Sequence, residues 1–193
     1  MLTTTYIGVD VMGNRYYSNV APTNAGIYTV VVSYIESNDT TVSYAGFAFA
    51  ELVITLADTE IESNDVGVCY DGEEHNIDFV AEDGFDYVLV IENAGKVNII
   101  LPAAWTIDFD ADILAELAKY LPEDKIQEIM ANYNIDDIVI NEALPTEIGE
   151  YTVTVIAINP NYNVAIVENT LTIKDHNLVF HAGMAATCTE SGY

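Results

Sequence analysis

One short motif occurs twice in this chain, and it constrains the fold more than any other feature. Residues 22–34 read PTNAGIYTVVVSY and residues 145–157 read PTEIGEYTVTVIA, with identity at seven of thirteen positions. In both copies Val and Thr follow the tyrosine, as is typical of a β-strand. Two copies of one strand motif so far apart in the chain predict two units built to one design.

A second strand follows each copy of the motif. These strands are AELVITL at residues 50–56 and ENTLTIK at residues 168–174. We therefore expect residues 22–56 and 145–174 to form the same antiparallel pair of strands, with a longer connection in the first copy near residues 36–42.

The rest of the chain also has the texture of a β protein, because short runs of Val, Ile, Thr and Tyr alternate with Gly, Pro, Asn and Asp. The sequence predicts strands near residues 3–9, 14–20, 26–34, 47–56, 76–81, 85–92, 96–101, 136–142, 149–158 and 164–173. No run approaches the roughly 20 apolar residues that span a bilayer, so we expect no membrane insertion.

Helical periodicity occurs in one place, between residues 110 and 133. A first apolar stripe comprises Ile113, Leu114, Leu117 and Leu121, and a second comprises Ile126, Ile129, Met130 and Tyr133. Asp110 is a candidate N-cap, and Pro122 ends the first helix and suits the first turn of the second. The pattern predicts a two-helix insert that packs on a sheet.

The repeated Gly-x-Tyr-x-Val start is typical of the tyrosine corner of Ig-like sandwiches, in which the tyrosine hydroxyl bonds to nearby backbone. Gly26 and Tyr28 begin one copy, and Gly149 and Tyr151 begin the other. Thr29 and Thr152 point away from these tyrosines, as expected for a sheet with one solvated face. The predicted fold class is all-β, with two tandem Ig-like β-sandwich units, the second carrying the two-helix insertion.

Further residues around the second copy complete a wider pattern. They are Tyr70-Asp71-Gly72, His75, Pro145-Thr146-x-x-Gly149-x-Tyr151-Thr152-Val153 and Asn161-Tyr162. With residues 22–30, this pattern resembles the YDG/MBG-type bacterial Ig-like repeats. The resemblance implies tandem units of a large secreted or cell-surface protein, and an extracellular location. The tail, with His176-Asn177-Leu178 and Ala185–Tyr193, is similar to a short repeat from surface proteins of gut Firmicutes, so both ends resemble cuts through a longer chain.

These features predict four segments. Residues 1–57 form a truncated Ig-like unit, and residues 58–68 form a linker. Residues 69–174 form a second Ig-like unit with its helical insert at 110–133, and residues 175–193 begin a further short repeat or tail. The first unit lacks a YDG opening, so we expect its open sheet edge to be covered by the second unit, by tail residues 177–181, or by a strand of another copy in a strand-completed dimer.

The charge of the chain excludes whole classes of partner. Asp and Glu number 31 against 5 Lys and Arg, for a formal net charge of −26. Such a chain repels phosphate backbones and anionic headgroups, so we expect no nucleic-acid binding. The first twenty residues also lack the basic and apolar regions of a signal peptide.

Candidate metal ligands are few. Asp108, Asp110 and Asp112 alternate and offer carboxylates to a structural Ca²⁺, although Asp110 and Asp112 also suit a helix start. The acidic runs Glu60-x-Glu62-x-x-Asp65 and Glu82-Asp83-x-x-Asp86 offer the same chemistry. The three histidines, His75, His176 and His181, have no zinc-ligand spacing and are expected in turns or at the surface. No cofactor other than Ca²⁺ is implied.

Catalysis has no support in the motifs, and we expect no enzyme. Carboxylate pairs such as Asp71 with Glu73, or Asp136 with Asp137, are inevitable among so many acidic residues. Cys69 has no basic neighbour to activate it and is predicted to be a structural thiol. A disulfide between Cys69 and Cys188 stays open as an alternative, as does a partner for Cys188 beyond residue 193.

The favoured function is a structural spacer or adhesion-stalk module of a bacterial cell-surface protein. The alternative is an adhesin module that binds a carbohydrate or a host or cell-surface protein. Its site would be the helical insert or a Tyr-rich region comprising Tyr16, Tyr17, Tyr34 and Tyr44. Exposed apolar residues on the insert would favour binding, whereas a fully docked insert would favour the spacer.

Overall fold

The structure is a computed structural model that describes residues 2–37, 43–105 and 113–175. It is mostly β, with three sheets and a short helical segment. The chain divides into two compact units. The first comprises Met1–Thr59 and Asn159–Asn163, and the second comprises Glu60–Ile158 and Val164–Tyr193.

The first unit contains one four-stranded antiparallel sheet. Its strands are β1 (Leu2–Asp10), β2 (Arg15–Ser18), β3 (Gly26–Ser37) and β4 (Ser43–Ile54). Their order across the sheet is β2-β1-β3-β4, so two hairpins lie side by side through β1 and β3.

The second unit contains a six-stranded sheet and a two-stranded one. Its strands are β5 (Ser63–Asn64), β6 (Val66–Cys69), β7 (Asp78–Phe79), β8 (Asp86–Asn93), β9 (Lys96–Ile100), β10 (Ile138–Ile140), β11 (Gly149–Ile158) and β12 (Ala165–Lys174). The large sheet runs β10-β9-β8-β11-β12-β6, and β5 pairs with β7. Its inner strands β9-β8-β11-β12 repeat the order and antiparallel pairing of β2-β1-β3-β4.

The predicted strand pair is confirmed in both units. Tyr28 of β3 lies opposite Leu52 of β4, and Tyr151 of β11 lies opposite Leu171 of β12. Each of the ten predicted strands overlaps an observed one. The two equivalent tyrosines therefore occupy the same register position in the same kind of hairpin.

The segment 58–68 differs from the predicted linker. It contains β5 and most of β6, and from Glu60 onward it belongs to the second unit. Strand β6 pairs in parallel with the outer edge of β12, and the Asp65 carboxylate accepts the backbone N–H of Thr170 at 2.8 Å. These contacts with the last strand make the segment part of the fold.

The helical insert is present. Helix α1 spans Ile113–Leu117 and α2 spans Glu123–Asn132, with Pro122 immediately before α2, and a 3₁₀ turn follows at Ile135–Asp137. Asp110, the candidate cap, lies outside the described residues. Neither helix in the described part of the chain has the length and apolarity to span a membrane.

Both faces of the second unit's large sheet are buried along the central strands β8 and β11, so the prediction of one solvated face is wrong there, whereas Ile166 and Glu168 of β12 stay exposed. One face packs against the insert through residues that include Leu117, Leu121 and Ile129. The other face packs against the segment before β8, including Ile77. Thr154, on the face predicted to be solvated, is 1% exposed because the insert covers that face.

An ion cluster centred on the buried Lys125 joins the insert to the sheet. The Nζ atom of Lys125 in α2 donates to Glu92 of β8 at 2.9 Å and to Glu128 at 3.3 Å. Burial acts to lower the pKa of Lys125, but the two carboxylates outweigh it and raise that pKa above its ordinary value. Burial, followed by a hydrogen bond to Glu92, raises the pKa of the Tyr133 phenol. Glu92 is thus held by two partners from the insert.

Lys125→Met should lower the free energy of unfolding of the second unit by about 3 kcal/mol, because it leaves the buried Glu92 carboxylate without a cation. The double variant Lys125→Met/Glu92→Met should regain at least half of that loss. Urea unfolding followed by the fluorescence of Trp105, which packs against the apolar core between the insert and the sheet, measures both. A double variant no more stable than the single one would contradict this account of the cluster.

Candidate functional site

The two tyrosine corners are the clearest shared feature of the units. The Tyr28 hydroxyl donates to the Asn24 carbonyl at 2.9 Å, and the Tyr151 hydroxyl donates to the Glu147 carbonyl at 2.9 Å. Both rings are buried, and burial is the main cause of the raised pKa of Tyr28. Each hydroxyl reaches the carbonyl four residues earlier, which ties the loop before the strand to the sheet.

The two corner glycines differ in how strictly they are required. A Cβ on Gly26 would lie 2.5 Å from the Val9 carbonyl oxygen, which is a backbone clash. A Cβ on Gly149 would lie 3.0 Å from the side-chain nitrogen of Asn93, which is able to move. The close approach of β1 therefore requires glycine at position 26, whereas position 149 is sterically less constrained.

The predicted Tyr70-Asp71-Gly72 group forms a turn at the end of β6. Gly72 adopts a φ of +81°, which favours glycine. The Asp71 carboxylate accepts the Glu73 N–H at 2.9 Å and contacts His75 Nε2 at 2.8 Å. The N–H groups of Tyr70 and His75 donate to the carbonyls of Lys174 and Pro145. This turn ties the opening of the unit to its last strand and to the loop before β11, which is a structural role.

Cys69 is not the free structural thiol that the sequence favours. It is half-buried at the end of β6 and is disulfide-bonded. The only other cysteine of the chain, Cys188, lies outside the described residues.

No metal site forms in the part of the chain that the structure describes, where no three His, Cys, Asp or Glu side chains gather suitably. The acidic runs at residues 60–65 and 82–86 both fall within that part. The candidates Asp108, Asp110 and Asp112 lie outside the described residues, so the calcium expectation at these positions stays a prediction.

The Tyr-rich region does not form a single platform. Tyr16 packs edge-on against Tyr28 at 5.7 Å between ring centroids, and the strand register puts Tyr34 on that same face. Tyr17 lies on the opposite face. The side chain of Tyr44 is not among those that the structure describes. Tyr17 therefore shares no sugar-binding surface with Tyr16 and Tyr34.

The insert offers little apolar surface for a partner. Trp105 stacks on Tyr120 at 4.7 Å, and both rings pack against the buried cluster beneath the helices. Among its described residues, the exposed large apolar side chains are Met130 and Ile135. By this criterion the docked insert favours a structural role.

A large exposed apolar surface occurs instead on the first unit. The strand register places Tyr17, Ile7 and Phe47 on the face of the sheet away from Tyr28. We name this surface the Phe47 face. Its exposed members, which are 42–77% accessible, are Ile7, Val9, Tyr17, Ile27, Ile35, Phe47, Phe49 and Val53. This surface was not among the sequence-based predictions, although the alternation AGFAFAELV in β4 carries the signal.

A cleft of about 480 Å³ lies beside the second tyrosine corner. Its polar lining includes Lys96, Glu142 and Glu147, and the backbone at Ala94 has a φ of +30°. The Asn98 amide in this wall is already bonded to the carbonyls of Glu142 and Ala143. The cleft has room for a small polar ligand.

No protein-family model matches the sequence, and no curated protein matches it.

The Asp71 turn gives a testable pH dependence. Hydrogen bonds from the Glu73 N–H and then from His75 lower the pKa of the Asp71 carboxyl group. The ionised carboxylate therefore stabilises the fold above the unfolded-state pKa, and this stabilisation is lost as the pH falls. Asp71→Asn should therefore flatten the decline of Tm between about pH 5 and pH 3. Scanning calorimetry measures this, with the exposed Asp83→Asn as the control. Parallel curves for wild type and Asp71→Asn would contradict it.

Proposed function

We propose that this chain is a non-catalytic, load-resisting stalk module of a bacterial cell-surface protein, built from two tandem Ig-like units of the YDG/MBG type. The observation that carries the proposal is the repetition of one four-strand order with the same tyrosine-to-carbonyl bond. A repeated, rigidly tied sheet suits a spacer, because each added copy extends a stalk without needing a site.

Strand directions support resistance to tension. Within the large sheet of the second unit, β6 comes first along the chain, β12 comes last, and the two pair in parallel. Pulling the chain ends apart therefore loads that pair in shear, with its hydrogen bonds strained together rather than one at a time. In the first unit, β1 and β4 both run antiparallel to β3 and hence parallel to each other, so their outer ends also lie at opposite ends of the sheet.

The disulfide and the charge of the chain are consistent with this proposal. The disulfide at Cys69 suits the oxidising conditions outside a cell. The high negative charge keeps such a module soluble and away from anionic surfaces. The adhesin alternative loses support at both of its predicted sites, since the insert is docked and the tyrosines lie on two faces.

Force spectroscopy of the full chain under reducing conditions tests the role. The Tyr70 N–H donates to Lys174, and Val68 lies two residues earlier, so its N–H points to β12 as well. Val68→Pro should lower the unfolding force of the second unit. The matched control, Gly67→Pro, places proline where the N–H points away from β12 and should change the force little. Equal forces for wild type and Val68→Pro would contradict the stalk role.

A further inference from the structure

The Phe47 face has a covered counterpart within the same chain. Aligning Tyr28 with Tyr151 makes Ser33 equivalent to Ile156, which is fully buried under the helical insert. In the first unit β2 and β3 are joined by residues 19–25 alone, so no insert covers the corresponding face. One sheet design therefore carries a cover in one copy and an exposed apolar face in the other.

We propose that a second copy of this chain covers the Phe47 face, with two first-unit sheets packed face to face. Two flat apolar sheet faces fit each other at about 10 Å, and their strand directions stay nearly aligned. The proposal goes beyond the stalk role and does not depend on it.

Charge favours self-association at this surface. Five of the 31 acidic residues lie in residues 1–59. On the Phe47 face the register places only two charged side chains, Arg15 and Glu51, and both are exposed. The repulsion expected from the net charge is therefore weakest here.

The positions of Arg15 and Glu51 complement each other across a two-fold axis. Residues that lie opposite one another on neighbouring strands form a row across the sheet. Arg15, on β2 at one edge, lies in the row of Val9. Glu51, on β4 at the other edge, lies in the next row, which contains Ile7. Adjacent rows on a face are about 7 Å apart. An axis parallel to the strands stacks β2 of each copy over β4 of the other. Arg15 of one copy then reaches Glu51 of the second copy, and this happens twice.

The size of the face sets the expected strength. The four strands lie about 4.8 Å apart and average about nine residues in length, so the face has an area on the order of 500 Å² per copy. That is near the low end for specific interfaces, so we expect a dimer that forms at micromolar concentrations.

Sedimentation equilibrium of the full chain across about 1 to 500 µM tests the proposal, with far-UV circular dichroism to check folding of each variant. Wild type should change from monomer to dimer. Phe49→Lys, at a position 64% exposed in the single chain, should stay monomeric. Ile148→Lys, at an exposed apolar position in the second unit, should dimerise like wild type.

Charge exchange tests the orientation. Arg15→Glu and Glu51→Arg should each weaken dimerisation about tenfold, and the double variant should restore it to within about threefold of wild type. A wild-type chain that stays monomeric, a dimer that survives Phe49→Lys, or a double variant weaker than either single one would each overturn the proposal.

Discussion

The hydrogen bond from a strand tyrosine to the carbonyl four residues earlier is the interaction on which both units depend. It fixes the loop before β3 and the loop before β11 against the strands that follow. Since β3 and β11 are central strands, each paired on both sides, the hairpins on either side take their position from them. The hydrogen bond of one buried tyrosine hydroxyl thus fixes the position at which the central strand of each sheet begins.

What differs between the units is the covering of this shared sheet. In the second unit the YDG turn and β6 close one edge, the segment with Ile77 closes one face, and the insert closes the other. In the first unit no strand among the described residues pairs with the outer edge of β4, and the Phe47 face is open. The tail residues 177–181, predicted to complete this edge, lie outside the described residues.

Local pattern sufficed to predict the hairpins and helices. Alternating apolar residues predicted the face of Tyr28, and helical spacing predicted the docking of Leu117 and Ile129. Most of strand β6 was assigned to a linker because its four residues pair in parallel with a strand about a hundred positions away, which no local signal records. The burial of Thr154 was missed for the same reason, since a covering insert is a long-range contact.

The most direct test of the repeated corner is to remove each tyrosine hydroxyl and measure amide hydrogen exchange separately in β3 and β11. Tyr28→Phe and Tyr151→Phe should each lower the local opening free energy of their own strand by about 1 kcal/mol. Tyr34→Phe, at an exposed position of β3, is the control and should have little effect. A loss in one unit with none in the other would contradict the claim that both sheets depend on the same bond.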